Sequence, residues 1–127
     1  MNPAVMMAVA AGGALGSVAR YWLSTMLRSA APCFPWGTLA VNVVGGFAMG
    51  LITAFAISRP ATLSDTLRLG LTTGILGGFT TFSAFSIETL LLWRDGNAAA
   101  AFANVAANLG LSLAACALGF WLARQLG

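Results

Sequence analysis

Gly74-Ile75-Leu76-Gly77-Gly78-Phe79-Thr80-Thr81-Phe82-Ser83-Ala84-Phe85-Ser86 lies in the middle of an apolar run that extends from Leu67 to Trp93. Crossing a bilayer takes about 20 residues of helix, so the run is long enough to span. Within it, two adjacent glycines weaken the helix and two β-branched threonines follow, which predicts a local break near mid-membrane. Backbone broken at that depth exposes carbonyls that no bulk water can satisfy, and such breaks characteristically coordinate ions. A plain kink is the alternative reading.

Outward from this stretch, three more segments have the length and composition of membrane spans: residues 4–27, 37–57 and 98–123, beside 67–93 itself. The 127-residue chain is 59% hydrophobic and 7% charged, with a mean hydropathy of +0.88, whereas soluble domains carry about 25% charged residues. The expected fold is therefore all-α, a single four-span membrane domain over residues 1–127 with the third helix broken mid-membrane. Breakers and charges collect in the connections Arg28–Pro35, Ser58–Asp65 and Arg94–Asn97, and Trp22, Trp36, Trp93 and Trp121 sit near span ends as interface anchors. The first span has no basic leader and too long an apolar run for a signal peptide, so it is expected to remain in place.

Charge placement bears on topology. The N-terminal side of the spans carries Arg59, Arg68 and Arg124; the other side carries Arg28 and Arg94, with Arg20 a little inside the membrane. Orientation follows an arginine imbalance, and here the count is nearly even. An even count permits insertion both ways, and hence an antiparallel, dual-topology homodimer that forms an inverted repeat from two copies. A single topology, set by the small bias or by a partner, is the alternative. The net charge of +3 is too diffuse for nucleic acid. Cys33 and Cys116 form no CxxC pair and have no His companion, so neither a disulfide framework nor a metal site is indicated.

Polar residues inside the spans are costly unless they are partnered or line water, so each calls for a role. Asn42 lies roughly 8 Å into the second span, and Asn104, Asn108 and Ser112 recur every four residues on one face of the fourth. Such a stripe serves as interhelical glue or offers donors to a passing anion. Gly12, Gly13 and Gly16, with Gly45, Gly46 and Gly50, give small-xxx-small spacings that let helices approach closely. Phe82 and Phe85 share a helix face, and the electropositive edges of such rings can hold an anion weakly. Ser83, Ser86 and Asn42 add true donors, and weak repeated sites suit conduction. Arg20 either snorkels to the interface or draws anions into a vestibule. Glu88 is the one acid within a span; an arginine partner and a polar cluster are both open to it.

Together these motifs resemble the CrcB/Fluc family of fluoride channels. The matching blocks are Gly12-Gly13-Ala14-Leu15-Gly16 with Arg20-Tyr21, then Pro35-Trp36-Gly37-Thr38-Leu39 with Val41-Asn42 and Gly45-Gly46-Phe47, then Gly77-Gly78-Phe79-Thr80-Thr81-Phe82-Ser83. The resemblance implies a dual-topology homodimer with two antiparallel pores and a central structural sodium ion held by backbone carbonyls of Gly77 and Thr80. It implies pore roles for Phe82, Phe85 and Asn42 and a vestibule role for Arg20, to which the reading of the polar residues adds Ser83, Asn108 and Ser112 along the expected fluoride pathway. Ala84 departs from the family pattern, which has Thr there, and removes one hydroxyl donor. The expected function is passive, selective fluoride export across a bacterial inner membrane, with fluoride and membrane lipid as partners and no enzymatic activity. A proton-coupled multidrug exporter is the main rival, but it requires an acid in the first span and none is present. A non-transporting membrane scaffold is the second rival.

Overall fold

A computed structural model describes residues 1–30 and 33–126. In chain order the elements are α1 (Pro3–Ala30), α2 (Trp36–Ser58), α3 (Asp65–Leu69), a π-helical stretch (Gly70–Leu76), α4 (Gly77–Phe79), α5 (Phe82–Arg94) and α6 (Ala98–Leu126). Four spans result, because α3, the π stretch, α4 and α5 follow one another as a third crossing, Asp65–Arg94. All four are long and apolar enough to traverse a membrane, and the protein is a multi-pass membrane protein. α1 continues to Ala30, past the point where the sequence places a connection beginning at Arg28. Ala31 and Pro32 of that connection, and Gly127, lie outside the described residues.

Local chemistry sets several helix boundaries. The Ser64 hydroxyl accepts from the Leu67 amide at 3.2 Å and starts α3. Thr81 does the same for α5, accepting from the Ala84 amide at 3.1 Å. Gly96 adopts φ +83°, open to glycine but strained for other residues. Directly after it, Asn97 Oδ1 caps α6 by accepting from the Ala100 amide at 3.2 Å.

Packing follows the small residues. The most extensive contact is α2 against α6, followed by α1 against the π stretch. At the first crossing, a Cβ on Gly50 would run into the Cys116 carbonyl and one on Gly119 into the Phe47 carbonyl. At the second, a Cβ on Gly16 would meet the Ile75 carbonyl, and just beyond it one on Gly78 of α4 would meet the Gly13 carbonyl. Backbones this close gain van der Waals contact, which holds helices together where lipid already solvates apolar side chains.

The distribution of burial is inverted relative to a soluble bundle. Asn104 is fully buried, and Thr38, Thr81 and Asn108 are nearly so. Meanwhile Leu15, Val18, Trp22, Leu113 and Trp121 are among many large apolar residues left outside. A chain that keeps its amides inside and its leucines outside has hydrocarbon as its solvent.

Candidate ion pathway at the broken third span

Two features interrupt the third span. Along Gly70–Leu76 the ladder widens, so that the Gly77 amide reaches the Thr72 carbonyl five residues back. Past α4, Thr80 (ψ 159°) and Thr81 (φ −154°, ψ 122°) are extended before α5 resumes. The break thus falls on the two threonines, whereas Gly77 and Gly78 remain helical. Gly78 is required instead for close approach to α1, where an added Cβ would meet the Gly13 carbonyl, whereas one on Gly77 would meet only the Thr72 carbonyl at 3.7 Å.

Asn42 of α2 stitches the break. Its Oδ1 accepts from the Thr81 amide at 2.9 Å and its Nδ2 donates to the Thr81 carbonyl at 3.1 Å. Nδ2 also donates to Asn108 Oδ1 at 2.9 Å. From there a polar chain runs along α6: Asn108 Nδ2 donates to Asn104 Oδ1 at 2.9 Å, and Asn104 Nδ2 to Thr89 Oγ1 at 2.9 Å. The α6 stripe expected from spacing therefore works as interhelical glue for its first two members. Its third member differs: the Ser112 hydroxyl is buried with no hydrogen-bond partner among the described residues. Because the Thr81 amide is taken by Asn42, the Gly77 carbonyl lacks the donor that a continuous helix would give it.

The expected pathway residues divide between two grooves that meet at Thr81. One, of about 400 Å³, is lined by Asn42, Thr80, Thr81, Phe82, Phe85, Asn108 and Ser112, with Gly45, Gly46 and Cys116 among its remaining walls. Phe85 is buried there, while Phe82 is 72% exposed, with ring centroids 5.2 Å apart and planes tilted by 56°. The other groove, of about 500 Å³, holds Arg20, Ser83, Ala84, Thr38 and Glu88. Ser83 thus lies apart from the phenylalanines, and its hydroxyl is 3.2 Å from that of Thr81. Ser86 is turned back on its own helix, donating to the Phe82 carbonyl at 2.8 Å. Gly77 lines neither groove; it borders a third hollow beside Thr72 and Thr73.

Arg20 does not run to the membrane surface. Its guanidinium points inward and donates to the Thr80 carbonyl at 3.4 Å, which brings positive charge to the break itself. The partner of Glu88, unresolved from sequence, is Thr38, whose hydroxyl donates to Oε1 at 2.8 Å. Glu88 Oε2 is buried without a partner among the described residues. Thr38 and Thr89 were not singled out by sequence reasoning. The available signal was a threonine within a span, which needs a partner as an asparagine does.

A compact multi-pass membrane protein with an interrupted span, polar grooves converging on the interruption and an inward arginine is the class these features define. The chain belongs to the CrcB-like family: the model described as "CrcB-like protein, Camphor Resistance (CrcB)" matches residues 7–120. Among its relatives are proteins named "Fluoride-specific ion channel FluC". That of Geobacter sulfurreducens is 51% identical over 95% of this chain and 98% of its own. That of Chelativorans sp. (strain BNC1) is 48% identical over 95% and 97%. That of Rhizobium etli (strain CIAT 652) is 52% identical over 93% and 94%.

Proposed function

We propose that this protein is a fluoride-selective passive channel of the bacterial inner membrane, not an enzyme, that lets fluoride leave the cytoplasm. The observation that carries the reading is the groove at the break, where two phenylalanine rings, the Asn42–Asn108 amide pair and Ser112 line one path. The relatives' names supply the anion. Hydrogen fluoride, a weak acid, crosses the bilayer neutral and ionises in the less acidic cytoplasm. A negative-inside potential then drives the anion outward, each charge gaining about 2.3 kcal/mol per 100 mV.

Arg20 raises the local anion concentration at the break through its charge. Ser83 and Thr81 offer hydroxyls in the Arg20 groove, and Ala84 leaves one fewer there. Ser112 donates to the ion without first giving up an internal bond. Asn42 and Asn108 polarise the wall, and the ring edges of Phe82 and Phe85 replace water weakly enough for the ion to move on. An exporter coupled to protons would need an acid in the first span; α1 has none.

The working unit is an antiparallel homodimer. The groove beside Phe82 is open on one side, and an exposed Phe82 suits a neighbouring chain. The freed Gly77 carbonyl and the Thr80 carbonyl, which would be shared with or released by the Arg20 guanidinium now 3.4 Å from it, are hard oxygen donors of the kind sodium takes. Two such carbonyls per chain make half a cation site, and a second copy across a two-fold axis completes four. When bound, sodium would supply a fixed positive charge tying the two breaks together; Gly77 and Thr80 would hold it.

The test is fluoride efflux from liposomes, read with a fluoride electrode after a potassium ionophore is added, with chloride in parallel. Rapid fluoride release with negligible chloride release, abolished by Phe82→Ile, is the expected result. Folded protein that releases no fluoride would sink the reading and return the scaffold to first place.

A further inference from the structure

Away from both grooves, at the end of the bundle where α2 and α6 finish, lies a hollow of about 510 Å³. Its walls are almost wholly apolar: Leu51 and Phe55 of α2, Leu63 of the following connection, Leu71 of the π stretch and Leu126 of α6. One charged residue stands among them. Arg59 is the residue that ends α2, its amide donating to the Phe55 carbonyl at 2.9 Å. Its guanidinium lies 5.4 Å from the centroid of the Phe55 ring and makes a single long contact, 3.5 Å, to the Leu126 carbonyl. No carboxylate among the described residues pairs with it; the only ion pairs there are Arg68–Asp65 and Arg94–Asp95.

We propose that this hollow binds one anionic phospholipid, its phosphate on Arg59 and an acyl chain along Leu51, Phe55 and Leu71. Depth supports the assignment. α2 has 23 residues, which at 1.5 Å each gives a helix of about 34 Å, slightly more than a hydrocarbon core. A residue at its end therefore lies at the phosphate level, with the hollow below it in the acyl region. Charge supports it too. A second copy of either orientation brings an excess of arginine to this end: Arg59, Arg68 and Arg124 against Asp65, or Arg28 and Arg94 against Asp95. A cation at the mouth of an apolar hollow is complemented by an anionic lipid and opposed by a second chain.

Native mass spectrometry of the delipidated full-length protein, titrated with phosphatidylglycerol or with phosphatidylcholine of the same chains, tests this. Phosphatidylglycerol should bind about fivefold tighter. Arg59→Gln should abolish that preference, and Arg59→Lys should keep part of it. Leu71→Trp, which fills the hollow, should weaken both lipids. Arg124→Gln, on the last turn of α6 but outside the hollow, should leave the preference intact. An unchanged preference in Arg59→Gln overturns the site, and equal losses in Arg59→Gln and Arg124→Gln replace it with diffuse surface charge. Efficient disulfide formation between copies carrying Leu63→Cys shows that a second chain covers the hollow, and overturns it equally.

Discussion

The side-chain amide of Asn42 replaces a turn of helix at Thr81, meeting both the amide and the carbonyl that the break leaves open. Its removal exposes two backbone groups in a low-dielectric interior, each costing about 1–3 kcal/mol. Asn42→Ala should therefore unfold or dissociate at clearly lower temperature in detergent; a melting profile unchanged from wild type would contradict the stitching role. Ser112 presents the opposite case. Its hydroxyl has no partner among the described residues, so Ser112→Ala should leave thermal stability unaltered. Loss of one ion-binding donor should still slow fluoride flux about tenfold, the equivalent of one hydrogen bond of about 1.4 kcal/mol. Stability and flux measured on the same preparation separate the two roles. A Ser112→Ala protein with full flux would remove that residue from the path.

At the scale of elements, the spans were legible because composition alone demands them, and the break because Thr80 and Thr81 are β-branched residues in a glycine-rich helix. The break falls on Thr80 and Thr81, within the Gly-Gly-Phe-Thr-Thr stretch where it is expected. Gly77 and Gly78 read as breakers, yet tertiary contact with α1 uses Gly78 for close approach and keeps it helical. The π stretch was not legible, since Gly70–Leu76 carries no residue pattern that distinguishes a wide turn from a narrow one. Nor was the split between grooves: Ser83 and Phe82 are sequence neighbours that a helix points in different directions. Two glycines give a direct check. Gly78→Ala would press a methyl into the Gly13 carbonyl and should destabilise the protein by about 1–3 kcal/mol. Gly110 has nothing within 4 Å of an added Cβ, so Gly110→Ala should be neutral or stabilising by up to about 1 kcal/mol. Unfolding curves of the pair, run side by side, decide whether close helix approach or glycine content matters.

For the whole molecule, the even arginine count and the open groove beside Phe82 both bear on assembly. Cys33 is exposed in the connection after α1 and supplies a reporter. In a Cys116→Ser background, a membrane-impermeant maleimide added to intact spheroplasts should modify about half of the chains if both orientations insert. Labelling of nearly all or nearly none would establish a single topology and remove the antiparallel dimer. Sodium offers a second test at this scale. Exchange of sodium for a large organic cation should lower the melting temperature of the detergent-solubilised dimer, and restored sodium should recover it. No sodium dependence would dissociate the Gly77 and Thr80 carbonyls from cation binding. Partner identities such as Thr38 with Glu88 belong to this scale as well. They join residues fifty positions apart, which no local pattern in the chain encodes.

The wide turn at Gly70–Leu76 also sets the angular phase of everything downstream. A turn that closes on the fifth residue back takes in one more residue than an α-turn, and each residue of α-helix rotates the chain by about 100°. Deleting Thr73 would remove that extra residue and let the stretch rewind as ordinary α-helix while Phe82 and Phe85 keep their phase beside Asn42. Such a chain should keep its helical circular dichroism, its insertion into membranes and its fluoride flux; loss of flux would show that the wide turn itself is needed. A seven-residue irregularity with no side chain in either groove would then take up one surplus residue of the chain and hold the pore face in phase.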